Sequence, residues 1–203
     1  MNDRDVFINC PFTSDYEGML RATVFAVVRC GFKPRCALED EDGGEVRIEK
    51  ICRIISDCRL GIHDISNTEL DATTNLPRFN MPLELGLFLG ARKFGAPKQR
   101  KKKALILDCI AHRYDQFISD ISGQEVEFHN TNSRTLIFRV VKWLRPQTSD
   151  KIPGGTAIAN LYERFERDLP DIAAEQELQP DEITFRDLAA ITAEWIVAEA
   201  SSR

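Results

Sequence analysis

The chain has 203 residues, 43% of them hydrophobic, enough for one full core with an appendage. Its net charge of −5 argues against a nucleic-acid-binding surface, and no apolar run is long enough to span a bilayer. The opening Met-Asn-Asp-Arg-Asp is unlike a secretory leader, so a cytoplasmic protein is expected.

Asp5 to Cys10 is a short apolar run closed by Pro11 and reads as a buried first strand. Pro11 to Asp15 turns the chain into a helix, with Thr13 or Ser14 as N-cap, and that helix ends at Gly31. Phe32 to Leu38 reads as a second strand containing Pro34. The acidic loop 39–44 leads to a helix over 45–57, with Ile48, Ile51, Cys52, Ile54 and Ile55 facing a core. Leu60 to Ile65 is a third strand. The connection from there to Arg78 is long for an α/β protein, which marks a functional loop.

Residues 81–94 form the most distinctive stretch. From Met81 to Ala91 every residue is apolar or glycine except Glu84. Pro82 suits a first helical turn, and apolar residues on all sides predict a helix buried between other layers. Gly86 and Gly90 share a face and each costs the helix about 1 kcal/mol, which predicts close approach of a neighbour or ligand. With Met81 as N-cap, Glu84 occupies the third helical position, where a carboxylate caps free N–H groups. The alternative is a catalytic carboxylate in a cleft between strand ends and helix N-termini.

The basic run Gln99 to Lys103 reads as a solvated loop, and Ala104 to Asp108 as an apolar interior strand. Residues 111–121 look helical, 125–128 like a fifth strand and 131–144 like a helix. Five strand–helix alternations predict an α/β fold with a doubly wound parallel sheet. The polar, Pro- and Gly-containing stretch 146–155 sets a boundary between an α/β domain (1–146) and a helical C-terminal extension (147–203). The extension holds helical patterns near 156–168 and 180–200. The last of these packs back on the sheet or binds a partner, a homo-oligomeric one included. The six cysteines form no CxxC pair and no zinc spacing with the three histidines, so no metal is expected.

Residues at the carboxyl ends of parallel strands converge on one crevice. Here these are Asn9, Cys10, Pro11 and Phe12, the loop after strand two, Asp64 and Ser66, and Asp108. Glu84, with Asn80 and Met81 beside it, points to the same rim, and Asp15 is a third carboxylate or a helix cap. Asp64 is a site residue or a turn cap. His63 is a packed histidine, and Asn80 a helix cap or site residue. Arg35 and Arg78 are phosphate clamps or ion-pair partners. No nucleophile elbow surrounds Ser66, and neither a dinucleotide-binding glycine motif nor a Walker loop occurs. Paired carboxylates suit a reaction with an oxocarbenium-like transition state.

The strand Val6 to Phe12, the strand ending at Asp64 and the element Pro82-Leu83-Glu84-Leu85-Gly86 resemble the nucleoside 2-deoxyribosyltransferase-like group and the related TIR domains. The resemblance covers roughly positions 5–110 and implies a flavodoxin-like fold of five parallel strands. It implies that Glu84 attacks or stabilises the anomeric carbon of a nucleoside or nucleotide and that Asp64 orients sugar hydroxyls. In TIR enzymes an equivalent glutamate cleaves the nicotinamide–ribose bond of NAD. The chain departs from deoxyribosyltransferases at Arg78 and Asn80, where an acidic residue is usual. It also lacks their first-strand tyrosine, with Tyr16 lying a turn into the next helix. The pattern is closer to bacterial TIR-like proteins, some of which act in antiphage defence. The expectation is an N-glycosidase acting on a nucleotide, NAD first, with no separate cofactor. The alternatives are a non-catalytic nucleotide sensor and a deoxynucleoside base-exchange enzyme.

Overall fold

The computed structural model describes residues 1–39, 42–68, 70 and 75–201. Parts of the acidic loop (40, 41) and of the long loop (69, 71–74) therefore lie outside the described residues. Five parallel strands form one sheet: β1 (Asn2–Asn9), β2 (Lys33–Arg35), β3 (Cys58–Asp64), β4 (Lys103–Asp108) and β5 (Val126–Phe128). Their order is β2-β1-β3-β4-β5, the flavodoxin-like arrangement, with the order reversing between β1 and β3. Asn9 pairs in register with His63, so the ends of β1 and β3 lie side by side at that reversal.

Alternate residues along a strand face opposite sides, and here both sides are covered. Val6, Ile8, Leu60, Ile62, Leu105 and Leu107 pack under α1 (Glu17–Arg29) and α4 (Ser133–Leu144). Phe7 and Cys58 instead meet Ile51, Ile54 and Ile55 of α2 (Arg47–Asp57) and Phe88 of α3 (Asn80–Phe94). Gly61 is required at that contact. A β-carbon there would come within 2.8 Å of the Phe88 ring and 2.7 Å of His63 Nε2.

Two further helices, α5 (Gly155–Glu175) and α6 (Phe185–Ser201), form an outer layer on α1 and α4. Tyr162, Phe165 and Trp195 surround the ring of Phe25 in α1 at centroid distances of 5.4, 5.2 and 6.1 Å. Arg21 of α1 clasps Glu166 of α5 at 2.8 Å. The extension thus packs back and shares the core of the sheet. No described helix is long and apolar enough to cross a membrane.

Several elements differ from the sequence reading. β2 is three residues long, because Pro34 lacks a ladder donor and the strand lies at the sheet edge. Residues 111–121 hold two short 3₁₀ turns rather than an α-helix, and His112 enters the first of them in a left-handed conformation (φ 60°) that no helix accommodates. α5 runs through Pro170, held by the buried Leu169 and Ala173 on either side of it. α3 begins at Asn80 with Phe79 as N-cap, so neither Met81 nor Asn80 caps it. Nor is α3 wrapped on all sides, since Leu83 and Phe94 are 55% and 85% exposed.

Candidate functional site

The strand ends gather two buried polar groups. In the first, the Asn9 side-chain amide donates to the Met81 carbonyl at 2.8 Å and to His63 Nδ1 at 3.1 Å. Asn9 thereby ties the end of β1 to the first turn of α3, the turn that precedes Glu84. His63 is fully buried between the rings of Phe7 (5.7 Å) and Phe88 (4.8 Å). Its Nδ1 accepts from Asn9, which places the proton on Nε2, a nitrogen with no partner. Burial, helped by the positive charge of Lys102, pulls its pKa down to about 3.

That histidine makes the fold acid-labile. Between the ordinary value of 6.5 and about 3, the unfolded chain binds a proton that folded His63 refuses, so stability falls as pH falls through this window. The full window is worth on the order of 4 kcal/mol. Urea unfolding from pH 7 to pH 4 should show the decline, and His63→Gln should flatten it.

The second group is centred on Asp64, which is 1% exposed. Its Oδ1 accepts from the Ser66 N–H at 3.0 Å and from the Ser66 hydroxyl. Its Oδ2 accepts from the Tyr16 hydroxyl and from His129 Nε2, the latter at 2.9 Å. The Thr131 N–H donates to His129 Nδ1 at 3.0 Å, which fixes the tautomer with its proton on Nε2, toward Asp64. Asn130 and Thr131 are both left-handed (φ 52° and 51°), an unusual conformation for a β-branched residue, and this turn presents the histidine. Ser66 Oγ also lies 3.1 Å from His129 Nε2, but Asp64 occupies that same nitrogen, so the three do not form a nucleophilic triad. Beside them, Asp108 binds Arg113 at 2.6 Å, and Arg113 reaches the carbonyls of Ile65 and Ser66.

Glu84 differs from all of these. It is 6% exposed and has no hydrogen-bond partner among the described residues. It is the fifth residue of α3 and makes no capping bond, which removes the capping reading. Burial raises its pKa to about 7, against the opposing charge of Arg47 at the start of α2. Burial pushes the Cys10 thiol up, and the charges of Asp64 and Glu84 add to that rise.

The remaining sequence candidates fall around this pair. Pro11 is buried and Phe12 half-buried beside Cys10, while Asp15 is exposed. Arg35 is held by both oxygens of Glu39 (2.6 Å each) and by Asp5 (2.8 Å), an ion-pair role. Arg78 and Asn80 are exposed at the start of α3, whereas Met81 is buried. His129, Arg113 and Arg47 went unmarked in the sequence. Only Asn130, a residue tolerant of left-handed backbone, hinted at the turn that carries His129. The larger grooves lie elsewhere, one of about 780 Å³ between β2 and α6 and one of about 590 Å³ between α4 and the start of α5. Among the described residues no cluster of three or more His, Cys, Asp or Glu could hold a metal ion. No family model, curated protein or solved structure matches the chain.

Proposed function

We propose that the protein is an N-glycosidase that cleaves the base–ribose bond of a nucleotide, with NAD the leading candidate. The observation that carries this reading is Glu84, a buried carboxylate with no hydrogen bond to another described residue, near the start of the helix that follows β3 in a parallel sheet. Heterolysis of a C1–N bond leaves the electron pair on the departing base and positive charge on the sugar. An ionised carboxylate in a dry site stabilises that charge or bonds to C1, far more effectively than one in water. Water then supplies the hydroxyl that completes hydrolysis at C1.

Asp64 already accepts four hydrogen bonds, so a sugar hydroxyl reaches it only by displacing one donor. Its role is to hold Tyr16, Ser66 and His129 along the rim, where the Tyr16 and Ser66 hydroxyls meet the ribose. The Asn9 to Phe12 turn lends backbone contacts. Arg35 is committed to Glu39 and Asp5, and the phosphates are assigned to Arg78 at the start of α3 and to Arg47, whose charge acts on Glu84.

Purified protein incubated with NAD and a panel of nucleotides and deoxynucleosides, then resolved by chromatography, tests the reading. Release of free base from a nucleotide supports it, and base exchange between deoxynucleosides alone would replace it with a salvage transferase. The saturation of Asp64 by four donors of the chain itself favours one other reading, a nucleotide sensor. There, one ligand raises the melting temperature and is never consumed.

A further inference from the structure

An α-helix that is apolar on every side is covered on every side in a stable protein. Among the described residues α3 is covered on its sheet side and partly on its flanks, where Leu87 and Ala91 meet the α2 cluster and Leu89 meets the cluster that holds Ile121. Met81, Leu85 and Phe88 face the sheet and are buried. At roughly 100° per residue, Phe79, Leu83, Gly86, Gly90 and Phe94 fall on the opposite side, within an arc of about 80°. Phe79, Leu83 and Phe94 are 54%, 55% and 85% exposed, and the loop leading into α3 adds Leu70 and Leu76 at 61% and 65%. These five are half of the ten large apolar side chains exposed among the described residues, and all lie on α3 or the loop that leads into it. Such concentration marks an interaction surface.

The glycines point the same way. A β-carbon at Gly86 or Gly90 would have nothing within 4 Å. Both weaken the helix, yet among the described residues no neighbouring element approaches them. The close approach that justifies a glycine comes from outside.

We propose that this face is the interface of a homodimer, in which α3 of one copy packs antiparallel against α3 of another. The stripe is complementary to itself. Its two glycines lie at the middle and its bulky residues at the ends. A two-fold axis near residue 88 therefore sets Phe94 of each copy against Leu83 of the other while the backbones close over the glycines. The antiparallel arrangement also pairs opposite ends of the helix dipoles. Covering Leu83 and Phe94 removes roughly 300 Å² per copy. Phe79 and Leu76, which the same axis sets beside residues 95–100 of the other copy, raise this to roughly 500 Å², or about 1,000 Å² in total, the lower bound for a specific interface. Phe165, Leu169, Leu188 and Ile191 of α5 and α6 are already spent on the core they share with α1 and α4. The inference stands apart from the glycosidase reading, since mass is measured without substrate.

Sedimentation velocity on the full chain between about 1 and 100 µM provides the test. Twice the chain mass is expected. Leu83→Glu should shift the product to monomer, weakening association by about a hundredfold or more. Gly90→Gln should do the same while keeping the parent's circular-dichroism spectrum, because it improves helix propensity and meets no neighbour within the chain's described residues. Val197→Glu, on the exposed side of α6, should leave the dimer intact. A parent chain that stays monomeric at the highest concentration overturns the proposal, whether or not it then binds vesicles. So does a dimer that survives both α3 variants.

Discussion

Glu84→Gln is expected to abolish base release and, above pH 7, to melt higher than the parent chain. The two effects share a cause. Burial raises the pKa of Glu84 from 4.5 to about 7, so between those values the folded protein holds a proton that the unfolded chain has released. Stability therefore falls as pH rises through that window, by up to about 3 kcal/mol once the carboxylate is fully charged. Glutamine keeps the shape and carries no charge. Its advantage should vanish near pH 4.5 and approach roughly 5–10 °C in melting temperature by pH 9. Activity should run the other way. If the charged carboxylate meets the developing cation, kcat/KM of the parent rises about tenfold per pH unit below 7 and levels above it. Loss of at least about a thousandfold in the glutamine variant fits removal of the central electrostatic group. A variant that still releases base removes Glu84 from the mechanism. A melting difference that does not change with pH contradicts its buried, unpartnered charge.

The largest loss of stability is expected from Asp64→Ala. The substitution strands the Tyr16 hydroxyl, the Ser66 hydroxyl and N–H, and His129 Nε2, all facing a space that excludes water. Leaving buried donors unmatched around a deleted charge costs about 3–5 kcal/mol, a large part of the stability of a domain this size. Urea denaturation should show it as a lower midpoint with an unchanged slope. Tyr16→Phe removes one donor and spares the others, so its cost should be smaller, about 1.5–3 kcal/mol. Combining Tyr16→Phe with Asp64→Ala should add almost nothing to Asp64→Ala alone, because the tyrosine has already lost its partner. Strictly additive losses would show that the two groups do not work as one unit.

Much of this molecule is written in its sequence. Alternating apolar runs dictate five parallel strands, because a strand buried on both faces must be apolar throughout, and Leu105, Ile106 and Leu107 obey that rule. Glu84 stands out by composition alone, and Asp64 by ending an apolar strand. What those carboxylates meet is another matter. His129 reaches Asp64 across 65 positions of chain, and Asp5 reaches Arg35 across 30, so neither partnership leaves a local signal. The three dimensions also distinguish two carboxylates that look equivalent in one. Asp64 is saturated by four donors, while Glu84 has none among the described residues and its burial shows in a raised pKa.

The same division governs α3. Its sequence determines that every side of the helix seeks cover, since apolar side chains gain by leaving water whichever way they face. Only the tertiary structure decides which side the chain covers itself. The sheet takes Met81, Leu85 and Phe88, and Leu83, Gly86, Gly90 and Phe94 are left facing outward. Hydrophobic periodicity records the demand for burial, but the geometry of the packed layers determines where that demand is met.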